Sequence, residues 1–211
     1  MQPAEIKAVA PNLKKRLSGV TATIARLVPV MEGVVATGPG LPEGTRHISL
    51  FQAATMPRDR WRVWHARRNP EMLLGLAFRH ILRRRYKLLF TSASQRAHSG
   101  YTKWLISKMD DVISTSRKTS GYLEKTSHVI LHGIDISGFS VPESKPAAKA
   151  ALELPQDDLF VGCIGRIRKQ KGTDVFVDAM IAVCKADRRA RGVVLGRATE
   201  GHVEFQKGLE A

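Results

Sequence analysis

The run Leu159-Phe160-Val161-Gly162-Cys163-Ile164, followed at once by Gly165-Arg166-Ile167-Arg168-Lys169-Gln170-Lys171-Gly172, decides how the chain is read. The first six residues are apolar or small and suit a buried parallel strand. The next eight hold two glycines and four cations, and a helical apolar stripe follows in Val175, Phe176, Ala179, Met180 and Val183. The pattern predicts a strand over 159–164, a turn, and a helix from about Thr173 to Ala186. Such a junction leaves backbone N–H groups free at the positive end of a helix dipole, which suits a phosphate. Arg166 offers a planar fork to phosphate oxygens and Lys171 a mobile point charge, so the two can meet a diphosphate from different sides. The stretch is neither a Walker loop nor the three-glycine dinucleotide fingerprint. Taken alone it also fits a turn with solvated cations.

Outward from this stretch, short Val- and Ile-rich runs alternate with turns and helix-like segments. Strands are expected at Ile6–Ala10, Gly33–Thr37, His47–Phe51, Arg62–His65, Lys87–Thr91, Asp111–Ser114 and His128–Leu131. Helices are expected at Thr21–Val30, Glu71–Arg84, Tyr101–Met109 and Lys118–Glu124. That alternation predicts an α/β fold with a doubly wound, Rossmann-like sheet. From Ser137 to Pro155 the pattern gives way to Pro142, Pro146, an Ala/Lys-rich patch and Pro155, as in a linker. Gly192–Gly196 reads as a further strand and His202–Leu209 as a further helix. The expected organisation is a domain over 1–140, a linker over 141–156, and the start of a second Rossmann-like domain over 157–211. Two strands do not make a stable doubly wound sheet, so that second domain is expected to be incomplete at Ala211.

The chain has 211 residues with 34 Lys and Arg against 19 Asp and Glu, a formal net charge of +15. Phosphates, acidic glycans, nucleic acid and anionic lipid are all suitable partners for such a surface. Its two cysteines, Cys163 and Cys184, support neither a disulfide framework nor a zinc cluster, which favours a reducing compartment. No apolar run approaches the roughly 18 residues that span a bilayer, and the start lacks a signal-peptide core. The expected location is cytoplasmic, with peripheral contact on the inner membrane through stripes such as Leu82-Arg83-Arg84-Arg85-Tyr86-Lys87; a solvated helix end is the alternative.

The glycine-bracketed turn gains meaning from two further motifs. Together they resemble the retaining glycosyltransferases of family 4, two-domain GT-B enzymes that move a sugar from a nucleotide donor. In that family a strand, Gly-Arg and then Lys-Gly open the second domain, and the Arg and Lys contact the donor diphosphate; Arg166 and Lys171 match them. The family's motif near the end of the first domain corresponds to His132-Gly133-Ile134-Asp135, with Phe139 following. The stretch Asn12-Leu13-Lys14-Lys15-Arg16-Leu17-Ser18-Gly19-Val20 stands where the family's glycine-bearing first loop faces the donor phosphate, which implies a role for Gly19. More narrowly, residues 11–23, Trp64-His65-Ala66-Arg67-Arg68-Asn69 and Phe90-Thr91-Ser92-Ala93-Ser94-Gln95-Arg96 look like a branch of bacterial lipopolysaccharide core mannosyltransferases. The resemblance spans essentially the whole chain. It implies GDP-mannose as donor and an anionic lipid-linked oligosaccharide as acceptor, with no cofactor beyond the donor.

The chain also departs from that pattern. The family's paired glutamates, seven residues apart, have no counterpart in Glu200, Glu204 and Glu210. Where many members carry a histidine after the fifth strand, this chain has Ser92, and a hydroxyl does not carry protons near neutral pH. His65, at the end of a predicted strand, and His98, in the loop after the fifth, are the nearby candidates for a catalytic role; a satisfied structural histidine is the other reading of each. Arg67, Arg68 and Arg96 are candidates for acceptor phosphate or carboxylate, against solvated loop cations. His132 suits a supporting role in the interdomain turn. No Asp-any-Asp motif occurs, so metal-independent chemistry is expected. Two rival readings stay open. One is a truncated, inactive transferase. The other is a nucleic-acid-binding protein, disfavoured by 6% aromatic content and the lack of a recognisable binding fold.

Overall fold

The computed structural model describes residues 2–15, 19–133, 136 and 139–210. The chain divides into two compact units, Met1–Ile134 and Asp135–Ala211. The first is built in the order β1 (Ala8–Pro11), α1 (Gly19–Val30), β2 (Val34–Thr37), β3 (His47–Ile48), α2 (Leu50–Ala54), β4 (Arg62–Ala66), α3 (Asn69–His80), β5 (Tyr86–Ser92), α4 (Gly100–Ser107), β6 (Asp111–Ser114), α5 (Arg117–Ser120) and β7 (His128–Val129). The described strands pair in parallel in the order β3-β2-β1-β4-β5-β6-β7. The chain walks outward from β1 to β3, then returns to the other side of β1 to lay down β4. The sequence-predicted α/β class with a Rossmann-like parallel sheet is therefore the observed one.

The sheet's apolar residues are buried because helices cover it. All four residues of β2 are buried, and Trp64, Leu88 and Val112 on β4, β5 and β6 are fully enclosed. Trp64 meets Phe78 and Tyr86 edge-on, with ring centroids 5.1 and 5.6 Å away. Such pairs contribute about 0.5–1.5 kcal/mol each beyond simple burial. One cation of the basic chain is itself in the core: Arg62 is 2% exposed and donates to the carbonyls of Ile6, Pro57 and Pro3 beside Asp59.

Most expected boundaries shift by a residue or two, and four shifts are larger or change an element. The strand expected at His47–Phe51 stops at Ile48, because Ser49 and Gln52 form a reciprocal capping box that starts α2. The helix expected to reach Arg84 ends at His80. Arg83 adopts a left-handed φ of 51°, and the Arg84 N–H closes on the Phe78 carbonyl. The helix expected at Lys118–Glu124 occupies only Arg117–Ser120, capped by Ser116 and closed at Gly121. The last strand ends at Val129, and Ile130 and Leu131 beyond it lie exposed.

The second unit contains α6 (Lys145–Ala151), β8 (Leu159–Ile164), α7 (Thr173–Ala186), β9 (Ala190–Leu195) and α8 (Val203–Glu210). The helix α6 lies where the composition suggested an irregular linker; Ser144 caps it, accepting from the Ala147 N–H. Strands β8 and β9 pair in parallel over six residues with α7 as the crossover. Helix α7 packs close to the sheet because Gly192 has no side chain: a Cβ there would lie 3.0 Å from Met180. Ile167, Thr173, Met180 and Ala190 form the buried part of this unit.

Candidate functional site

In an open parallel sheet the loops at the carboxyl ends of the strands face ligands, above all where strand order reverses. Here that place lies between β1 and β4. Polar residues are buried along this edge: Asn12, Thr37, Ser92 and Ser114 stand at or just beyond the ends of β1, β2, β5 and β6.

Asn12 is fully buried and joins three loops. Its Nδ2 donates to the carbonyls of Lys14 at 2.8 Å and Pro39 at 2.6 Å, and its Oδ1 accepts from Arg68 at 2.9 Å. The Gly38-Pro39-Gly40 loop approaches so closely that a Cβ at Gly38 would overlap the Asn12 carbonyl, and one at Gly40 the Lys15 carbonyl. Both glycines have positive φ, 101° and 70°. Beside them Glu71, in the first turn of α3, is also fully buried. Its carboxylate accepts from the Arg67 backbone N–H at 2.8 Å and from the Arg68 guanidinium at 3.0 Å. Burial raises the Glu71 pKa, and these hydrogen bonds and the two arginines work against that rise.

The structure brings His65, Arg67 and Arg68 together at the end of β4. The His65 Nε2 lies 2.6 Å from the Thr91 hydroxyl on the neighbouring strand. Burial, then the Arg67 cation, pull the His65 pKa down to about 3. The ring is therefore neutral near pH 7 and a weak base, which suits a hydrogen-bonding group. Arg67 donates to the His65 carbonyl at 3.3 Å; burial lowers its pKa to about 10, so it stays charged at neutral pH. Arg68 is engaged by Asn12 and Glu71, which makes it a supporting cation rather than an open one.

His98 and Arg96 sit in the loop after β5. The His98 Nε2 lies 3.2 Å from the Ser92 hydroxyl, and burial followed by the Arg96 and Lys103 cations lower its pKa. Arg96 is exposed. His98 also lines a groove of about 270 Å³ with Lys103, Tyr122, Leu123 and Lys125. Gly19 begins α1 and is exposed, with open space where a side chain would stand. Residues 16–18 of the preceding loop lie outside the described residues, as do Ile134 and Asp135 of the predicted interdomain motif; His132 and Gly133 are exposed.

In the second unit the strand, turn and helix follow as the sequence predicts. Gly165 has a φ of 146°, and Gly172, at 68°, caps α7 in the left-handed region. Gly196 after β9 lies against Gly165, and a Cβ there would overlap the Gly165 carbonyl. Arg166 and Lys171 are both exposed on this turn. The Nε of Arg168 and Oδ1 of Asp174 are buried without a hydrogen-bond partner among the described residues.

Sequence reasoning gave no individual role to Asn12, Glu71 or Thr91. A polar residue immediately after a strand, as at Asn12, and a Glu in the first turn of a helix after Pro70 were the available signals. Among the described residues no group of three or more His, Cys, Asp or Glu is placed to hold a metal ion.

No family model matches the chain. It is 48% identical over 216 residues to the lipopolysaccharide core biosynthesis mannosyltransferase LpsB of Rhizobium meliloti (strain 1021), an alignment covering 98% of this chain and 61% of the relative. It is 48% identical over 215 residues to the lipopolysaccharide core biosynthesis mannosyltransferase LpcC of Rhizobium leguminosarum bv. viciae, with the same coverage. A D-inositol 3-phosphate glycosyltransferase of Segniliparus rotundus is 29% identical over 102 residues, 45% of this chain and 22% of that protein. The chain spans about three fifths of the length of the first two relatives. Along nearly its whole length it is thus similar to glycosyltransferases that act in lipopolysaccharide core biosynthesis.

Proposed function

We propose that the chain functions in a glycosyltransferase that moves a mannosyl residue from GDP-mannose to the lipopolysaccharide core with retention of configuration. The observation that carries this is the junction of β8 with α7, where glycines shape the turn and Arg166 and Lys171 stand exposed beside the start of a 14-residue helix. The 48% identity to two core mannosyltransferases supports the substrate class.

In this reading Arg166 and Lys171 hold the donor diphosphate, and Gly19 at the head of α1 lets backbone approach it. The bond between the sugar's anomeric carbon and the diphosphate breaks, and the acceptor hydroxyl forms the new bond on the same face. Two cations placed where charge develops lower the barrier electrostatically, often the largest single catalytic contribution. The acceptor proton passes to the departing phosphate oxygen, because His65 is too weak a base to take it. His65 and His98 orient the site through Thr91 and Ser92. Arg67 and Arg96, with Arg68 behind them, meet acceptor phosphate or carboxylate. The chemistry uses no resident metal or cofactor.

Among the described residues no helix is long and apolar enough to cross a membrane. A lipid-linked acceptor calls for peripheral contact with the cytoplasmic face of the inner membrane. The exposed Ile81, Leu82, Arg83, Arg85 and Lys87 support it, with Lys87 4.8 Å above the Trp61 ring.

The test is incubation with labelled GDP-mannose and delipidated core oligosaccharide, read by mass and by the anomeric configuration of the product. A product heavier by one hexose, with the donor's anomeric configuration, is expected. Inversion of configuration, or transfer from UDP-sugars alone, contradicts the reading.

A further inference from the structure

The loops at the ends of β1, β2 and β4 all meet one side chain that the proposed chemistry does not use. Asn12 is fully buried, and a buried amide is costly unless its donors and acceptor are met. Here they are met from three directions. Two backbone carbonyls, of Lys14 and Pro39, face Nδ2, and a guanidinium, of Arg68, faces Oδ1. Carbonyls only accept and Arg only donates, so the partners themselves fix which way the amide points. The backbone adds a fourth tie, from the Asn12 N–H to the Thr37 carbonyl at 2.8 Å.

We propose that Asn12 is a positioning residue: it holds the loop through Lys14 and Lys15, the loop through Gly38 and Gly40, and Arg68 in one fixed arrangement at the reversal point of the sheet. The inference rests on the glycosyltransferase reading for the identity of the substrate these loops meet. Asparagine suits this role at this length of side chain. Aspartate lacks the two donors and sets an oxygen against two carbonyl oxygens; serine has one donor and falls short of the span. The neighbours show the same dependence on shape. Gly38 and Gly40 leave no room for a Cβ on the faces turned to the Asn12 loop, and Arg68 is held from its other side by buried Glu71. Asn12 touches no reacting atom in this account. It acts through the loops and through Arg68.

The experiment compares Asn12→Asp and Asn12→Ser with Val112→Ala, a core change on β6 far along the sheet from β1. All are compared with the wild type at equal stability, set by small additions of urea. Amide hydrogen exchange is followed at Lys14, Lys15, Gly38 and Gly40, and the donor and acceptor KM and kcat are measured in the transfer assay. Both Asn12 variants are expected to exchange faster at these four amides, on the order of tenfold or more, and to raise KM more than they lower kcat. Val112→Ala is expected to leave both at the wild-type values. Equal exchange and equal kinetics in all three variants at matched stability would overturn the inference, because Asn12 would then be one more core residue. Absence of sugar transfer by the wild type would sink the glycosyltransferase reading instead; exchange at the four amides would still decide whether Asn12 holds the loops.

Discussion

Strand β2 of the first unit and strand β8 of the second are alike in sequence and unlike in surroundings. Val34-Val35-Ala36-Thr37 is buried at every residue, between two sheet neighbours and under α1. Leu159-Phe160-Val161-Gly162-Cys163-Ile164 is as apolar, yet Leu159 is 58% and Ile164 81% exposed. Strand β8 has one described sheet neighbour, β9, and one crossover helix. An apolar run therefore specifies a strand locally, while its burial depends on how many neighbours the fold supplies. The first unit derives its stability from an enclosed core, and the second offers an exposed, cationic turn.

Trp64→Ala should have the largest effect, about 3–5 kcal/mol off the unfolding free energy of the first unit, since Trp64 is fully enclosed by Phe78, Tyr86 and Gly75. The matching change in the second unit, Met180→Ala, should cost about 2 kcal/mol, because its surroundings are half open. Urea unfolding followed residue by residue measures both, and equal losses would erase the distinction. Gly196→Ala should cost about 1–3 kcal/mol through its clash with the Gly165 carbonyl, and shift the amide resonances of the cationic turn.

A pH titration probes the first unit alone. With a folded pKa of about 3 against an ordinary 6.5, His65 stays neutral while the unfolded chain takes up a proton. Its contribution is fully present above pH 6.5 and is lost as pH falls towards 3, by at most about 1.4 kcal/mol per pH unit. The buried Glu71, with its raised pKa, acts in the opposite sense, so the comparison should be between the wild type and His65→Gln. A shallower slope in the variant between pH 6.5 and 4 is expected; identical slopes would place a charged His65 in the fold. The smallest effect belongs to the exposed pair Lys103–Glu124, at 2.6 Å, where Glu124→Gln should change stability by less than about 1 kcal/mol and less still in high salt.

The parallel α/β architecture was legible because short Val- and Ile-rich runs recur with turns and helix-like segments between them. Ends of elements were less so. The Ser49–Gln52 capping box was present in the sequence but lay inside an apolar run that looked like a longer strand. The cationic turn was legible in full, since Gly165 and Gly172 sit where left-handed or extended backbone is needed. The first unit's polar edge was not. Asn12 and Glu71 drew no individual role and Arg68 read as a candidate for acceptor anions; only the approach of three loops turns them into a buried network. Periodicity reports which face of an element is apolar; it carries no record of which loops meet.

The most direct test of the account is calorimetric titration of the chain with GDP-mannose, set beside inorganic tripolyphosphate and repeated with the Arg166→Ala/Lys171→Ala variant. Saturable binding of GDP-mannose is expected, tighter than that of tripolyphosphate, and weakened by on the order of tenfold or more in the variant without loss of thermal stability. Equal binding of the two ligands, or GDP-mannose binding unchanged in the variant, would contradict it.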